Sequence, residues 1–301
     1  MVLDSSLRGA SATPRPQSYP KQVIGFLLSR QVEGCSPLTV QTYPERLASF
    51  FKSLGDISIE GIDSGDVLRF LGYLQKRDYK PQYIHAHFRV LRTFFNWCVA
   101  EEFIDRSPMR NIKPPKLPKE GRPFLYEVHR DKLLRRCPPT MFTGARNGAI
   151  VWFFWSTGAR RHEIANLQLV DLEWQRDRIK VMGKGARERY VPFSKEAKRA
   201  VWRYLSYRDD EHPCLWITEE RRPMGQGGMI MVMRRLFDGA GLRGEVVDLH
   251  HVFRRSWAMR NLRGGRSLRD LMAVGGWESE QMLMRYVRAM ESEDALAAKW
   301  V

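Results

Sequence analysis

The chain has 301 residues, and its 50 Lys plus Arg outweigh 34 Asp plus Glu to give a formal charge of +16 and a pI near 10.0. With 43% hydrophobic and 11% aromatic residues it can build cores, which excludes wholesale disorder, and at roughly 100–200 residues per domain its length predicts two domains. The longest apolar run, Ala149 to Trp155, is seven residues against about 18 for a membrane span, and the four scattered cysteines form neither a disulfide framework nor a zinc motif.

Residues 1–16 lack the apolar stretch of about 7–15 residues that a secretory signal needs, so a flexible leader and a cytoplasmic location are expected. Residues 17–110 read as a small all-α domain. Helices are predicted from about Pro20 to Val32, Thr39 to Leu54, Ser64 to Lys76 and Tyr83 to Glu101, with start signals at Ser36-Pro37 and Ser64 and a stop at Gly55. In the fourth, Ile84, Phe88, Leu91, Phe95 and Cys98 recur at steps of 4, 3, 4 and 3 and mark one apolar face, which leaves His85, Arg89, Arg92 and Asn96 on the other. Residues 111–124 hold four prolines and four basic residues in fourteen positions, the composition of an extended linker.

Residues 125–301 are mixed. A buried helix is predicted from Gly144 to Ser156 and a second from near Arg160 to about Leu167. Strands over Arg178 to Met182 and Arg187 to Phe193 are joined by a turn in Gly183-Lys184-Gly185-Ala186. The rest is helical, with breaks at His212-Pro213, Pro223 to Gly228, Gly264-Gly265 and Gly275-Gly276, and a short amphipathic tail helix follows Glu291. The expected fold class is mainly α with a small antiparallel β-sheet in the C-terminal domain. The charge points to a polyanion, either nucleic acid or an anionic membrane surface, with a merely solubilising surface still open.

Four clusters carry chemistry. In Thr157-Gly158-Ala159-Arg160-Arg161-His162-Glu163 a turn leads into a helix whose N-terminal amides and guanidinium suit a phosphate, although a basic pair also suits a solvated face. Lys184 stands at the hairpin tip, as many surface lysines do, and its surroundings lack the first glycine of a P-loop, so ATP binding is not supported. His251 and Arg254 are one helical turn apart; the adjacent His250 suggests a metal, but no carboxylate or Cys spacing completes a site. Trp277 precedes Tyr286 by nine residues, and Arg285 and Arg288 flank this phenol, whose free pKa is about 10.

Taken in order, these clusters resemble the tyrosine recombinase (phage integrase) family, with its T-G-x-R-x-x-E, hairpin lysine, H-x-x-R, His or Trp position and tyrosine. The resemblance extends through the N-terminal unit, from Ser36 to Tyr43, Phe94 to Trp97 and Ser107-Pro108, which looks like the family's helical, SAM-like core-binding domain. It implies that Arg160, Lys184, His251, Arg254, Trp277 and Tyr286 are catalytic, with Tyr286 the nucleophile and Glu163 a supporting acid. Two positions depart from the commonest pattern: Arg255 and Trp277 stand where many members have histidine, and tryptophan can donate a hydrogen bond but cannot relay a proton.

The implied activity is site-specific DNA strand exchange through a 3′-phosphotyrosyl intermediate, giving integration, excision, inversion or resolution. No cofactor, metal or small-molecule substrate is expected. The implied partners are double-stranded DNA with inverted-repeat sites and three further copies, a tetramer on two duplexes; no membrane partner is expected. His85, Arg89 and Arg92 become candidate DNA contacts, with a solvated face as the alternative. DNA relaxation of the type IB topoisomerase kind and a non-catalytic DNA-binding regulator are the competing functions.

Overall fold

A computed structural model describes residues 20–55, 57–117, 123–183, 188–244, 246, 248–284 and 286–288. The chain divides into two compact units, Met1–Glu120 and Gly121–Val301. The leader, Lys184, Arg285 and the tail beyond Glu291 lie outside the described residues.

The first unit is a four-helix arrangement of α1 (Lys21–Val32), α2 (Pro37–Leu54), α3 (Ser64–Lys76) and α4 (Pro81–Ala100). Local chemistry sets their starts. The Ser36 hydroxyl accepts from the Thr39 amide at 3.2 Å with Pro37 in the first turn, and Asp63 and Asp66 exchange backbone hydrogen bonds in a capping box. Pro81 opens α4 in the same way. Helix α4 is central and packs on the other three, so its buried face is broader than the five-residue stripe and also takes His87, Val90, Phe94 and Trp97. Phe26, Phe50, Phe94 and Phe95 are fully enclosed in this core, where edge-to-face pairs at 5.3–6.0 Å dominate. Ile112 joins the same core.

The second unit begins with α5 (Glu127–Leu134) and α6 (Phe142–Thr157), then the short α7 (Arg161–Ala165). Helix α6 is apolar nearly all round and runs through the middle, against α8 (Lys195–Leu205) and α10 (His251–Arg263). The sheet has three antiparallel strands, β1 (Leu172–Glu173), β2 (Arg178–Met182) and β3 (Glu188–Pro192), in sequential order. Ile179 pairs with Val191, and Val181 with Arg189. Helices α9 (Gln226–Gly239) and α11 (Leu268–Gly275) complete the unit, and residues 280–284 and 286–288 are again helical.

Two local departures from the sequence reading have simple causes. Strand β1 is two residues long, too short for any alternation to show. The expected break through Gly228 does not hold, because α9 already starts at Gln226. Its inward residues Met229, Val232, Met233, Leu236 and Phe237 define one helical face. Gly227 and Gly228 fall in the first turn, where amides have no intrahelical partner and glycine costs less than it would mid-helix.

Candidate active site

The site grows from the end of α6. The Thr157 hydroxyl donates to the Phe153 carbonyl at 2.6 Å and accepts from the Ala159 amide at 3.2 Å, which turns the chain sharply. Gly158 closes the helix with φ 58°, and a Cβ there would stand 2.5 Å from the Trp257 ring, so both backbone and packing require glycine. Arg160 follows as the residue capping α7. Its amide is bound by a Glu163 carboxylate oxygen at 2.7 Å and its Nη1 by the other at 3.1 Å. Because α7 is only five residues long and Glu163 already occupies this amide, the anion-binding element here is the guanidinium and not the helix end.

Arg254 reaches the same place from α10. It is only 4% exposed, donates from Nη1 to the Gly158 carbonyl at 2.9 Å and from Nη2 to the Gly275 carbonyl at 2.6 Å, and lies 3.8 Å from the centroid of the Trp277 ring. Arg160 donates from Nη2 to the next carbonyl, Gly276, at 2.5 Å. The two guanidiniums are thus pinned to adjacent carbonyls at the end of α11, and each keeps N–H donors for another acceptor. Burial, and next the Arg160 charge, push the Arg254 pKa down to about 9, which still leaves it cationic at neutral pH.

Trp277 follows the α11 turn and is 8% exposed. One face carries Arg254, and the ring stacks on Trp257 at 6.2 Å and meets Tyr286 edge-on at 5.9 Å and 66°. Its role in this geometry is to order a cation and a phenol together. Gly275 permits the turn, since a Cβ there would fall 2.0 Å from the Trp277 ring. Tyr286 is half-buried against a small apolar cluster of Trp257, Leu271, Trp277 and Leu283, and it is near enough to Arg254 to act on its charge.

The histidine pair separates by environment. His250 is buried; desolvation first, and the Arg161 charge next, push its pKa down to about 4. His251 opens α10 at the surface. Its pKa is also lowered, by the surrounding protein first, while Asp248 opposes and Arg254, Arg255 and Arg161 reinforce. The result is a neutral imidazole at pH 7 beside Arg254, a state that accepts a proton.

Sequence reasoning missed Arg189. From β3 it forks onto Glu163, Nη1 and Nη2 donating to the two carboxylate oxygens at 2.7 and 2.8 Å, and its Nε donates to the Val274 carbonyl at 2.9 Å. A signal was present: Val191 faces the core, strand alternation places Arg189 on the same side, and a charge on an inward face needs a buried counter-ion. Burial opposes ionisation of Glu163, but the Arg189 and Arg160 bonds outweigh it and hold the pKa below the usual carboxylate range.

The structure therefore brings Arg160, Glu163, Arg254, Trp277 and Tyr286 together, with His251 one turn from Arg254; Lys184 lies outside the described residues. The other candidates belong to the first unit. His85 is half-buried near Phe88, Arg89 is exposed, and Arg92 lies over the Phe88 ring at 4.8 Å while donating to the Ile112 carbonyl at 3.2 Å. Arg89 shares a groove between α2 and α4 with Thr39, Thr42, Arg46 and Thr93; the α2 side of that groove was also missed.

Comparison with known proteins places the chain in a family. The model of the phage integrase family matches residues 124–293, and that of the phage integrase N-terminal SAM-like domain matches residues 27–102. Tyrosine recombinase XerA of Thermococcus kodakarensis is 30% identical over 264 residues, covering 86% of this chain and 88% of the relative. Tyrosine recombinase XerC of Oceanobacillus iheyensis is 29% identical over 267 residues, covering 84% and 87%. The fold is shared with the XerH site-specific recombinase, solved bound to a palindromic difH substrate, at a TM-score of 0.71 and 18% identity, covering 94% of this chain and 90% of that one. The chain belongs to the phage integrase family. Within that class it is a tyrosine-type site-specific recombinase.

Proposed function

We propose that the protein cuts and rejoins duplex DNA through a 3′-phosphotyrosyl ester on Tyr286. The carrying observation is the convergence of Arg160 and Arg254 on the adjacent Gly275 and Gly276 carbonyls beside Trp277, with the Tyr286 ring packed against the same indole. Attack on a phosphodiester gathers negative charge on the non-bridging oxygens, and two fixed guanidiniums neutralise it. The Tyr286 Oη–P bond forms as the P–O5′ bond breaks. The phenolic proton passes to neutral His251, and Lys184 protonates the departing 5′-oxygen. Religation reverses these transfers, and because the ester conserves the bond energy no nucleotide drives it.

In this reading residues 17–110 grip the duplex, with His85, Arg89 and Arg92 as contacts, residues 111–124 link the two domains, and residues 125–301 perform the chemistry. Four copies act on two duplexes with inverted-repeat sites in the cytoplasm. The test is capture from a random-sequence duplex library nicked so that the cut end cannot religate. The expected result is a detergent-resistant protein–DNA adduct that Tyr286→Phe abolishes. An adduct that persists in the variant refutes the assigned nucleophile, and absence of any adduct from the parent chain refutes the reading.

A further inference from the structure

At the C-terminal end of α11, three successive carbonyls are each held by a different arginine: Val274 by Arg189, Gly275 by Arg254 and Gly276 by Arg160. The last carbonyls of a helix have no intrahelical donors and carry partial negative charge, so they suit cations. Arg160 and Arg254 already have a proposed part in binding the phosphate; Arg189 has been given none. It comes from β3, is 13% exposed at its side chain, and meets a Glu163 carboxylate that is fully buried. Glu163 in turn holds both the amide and the guanidinium of Arg160.

We infer that Arg189 is a positioning residue for phosphate cleavage: by clamping Glu163 and the Val274 carbonyl at once, it fixes Arg160 relative to the turn that carries Trp277. This rests on the reading of Arg160 as a phosphate ligand. Three observations support the role. The fork on Glu163 is bidentate, which restrains the orientation of the carboxylate as well as its distance. With both its oxygens engaged by Arg189, Glu163 presents one of them to Arg160 Nη1 in a fixed direction. The Nε contact ties the same guanidinium to the backbone one residue before the carbonyl that holds Arg254. Arg189 thus joins three segments that are far apart in sequence, β3, the α7 start and the α11 end.

A residue that merely stabilised the fold would affect every substrate alike. A residue that aims a guanidinium at a charged oxygen matters less when that charge is absent. The experiment uses the full chain and the duplex recovered by covalent capture, made with either a normal scissile phosphodiester or a neutral methylphosphonate at that position. On the phosphodiester, Arg189→Ala is expected to slow adduct formation about 10²-fold, the scale of loss from misplacing a reacting group by about an ångström, with duplex affinity unchanged. On the methylphosphonate the deficit relative to the parent chain should shrink below about 10-fold, because there is less charge to stabilise.

Should Arg189→Ala fold poorly, Arg189→Lys keeps the charge beside Glu163 but loses the fork, and it is expected to show the same substrate dependence with a smaller deficit. A parent-like rate for Arg189→Lys on the phosphodiester, or equal deficits on the two substrates, overturns the inference. Absence of any adduct from the parent chain overturns instead the reading on which it rests.

Discussion

His250 shows how closely adjacent side chains can differ. Its imidazole lies against Phe154, with ring centroids 5.4 Å apart, and has a pKa pushed down to about 4 from 6.5. The unfolded chain takes up a proton near pH 6.5 while the folded chain resists it. The stabilisation from the neutral ring is therefore complete above about 6.5 and disappears as the pH falls toward 4, a difference on the order of 3 kcal/mol. His250→Phe keeps a ring in the site and should flatten the fall in urea midpoint across that window; parallel curves for variant and parent would show that other groups set the acid limb. At this scale the candidate set of Arg160, Glu163, His251, Arg254 and Tyr286 came from the ordered resemblance to the family, since each short motif is weak by itself. Arg189 was not legible, because its partner is 26 residues away and only the strand's inward face betrays it. For Trp277 the sequence suggested a hydrogen-bond donor; the structure adds contacts of its ring, which carries Arg254 and stacks on Trp257.

Among the elements, α4 separates two arginines that look equivalent on a helical wheel. Both are exposed, but Arg92 lies over the Phe88 ring and donates to the Ile112 carbonyl, while Arg89 lines the groove facing α2. Arg92→Ala should lower the stability of the protein by about 1 kcal/mol through the lost ring and carbonyl contacts, measured by denaturant unfolding. Arg89→Ala should leave stability within about 0.5 kcal/mol but reduce the slope of log affinity against log salt by about 1 on duplex DNA. A salt slope that Arg89→Ala leaves unchanged would remove Arg89 from the proposed duplex contacts. Helix limits were legible to within a few residues because Ser36-Pro37 and Ser64 mark starts and Gly55 a stop, although the α3 cap is Asp63 and α4 opens at Pro81, two residues before the expected Tyr83. Strand β1 and the onset of α9 were not, since the first owes its existence to pairing with β2 and the second to the packing of Met229, Met233 and Phe237.

For the molecule as a whole, an excess of 16 positive charges is far more than one scissile phosphate engages. Contacts with 6–10 phosphates would reduce affinity about 10³–10⁵-fold between 50 and 200 mM salt, through counterion release. Fluorescence anisotropy on a non-specific duplex should give a straight, steep log–log plot, and a flat one would show that the charge serves another purpose. The division into two helical units with one small sheet was legible because hydrophobic period and proline density change along the chain. The meeting of Arg160, Arg189 and Arg254 on three neighbouring carbonyls was not, because it depends on a helix end that arrives late in the sequence. Synthesis from the N-terminus therefore produces all three arginines before residues 274–276 exist to order them. A chain still emerging from the ribosome thus lacks the carbonyls that hold these three guanidiniums in the finished fold.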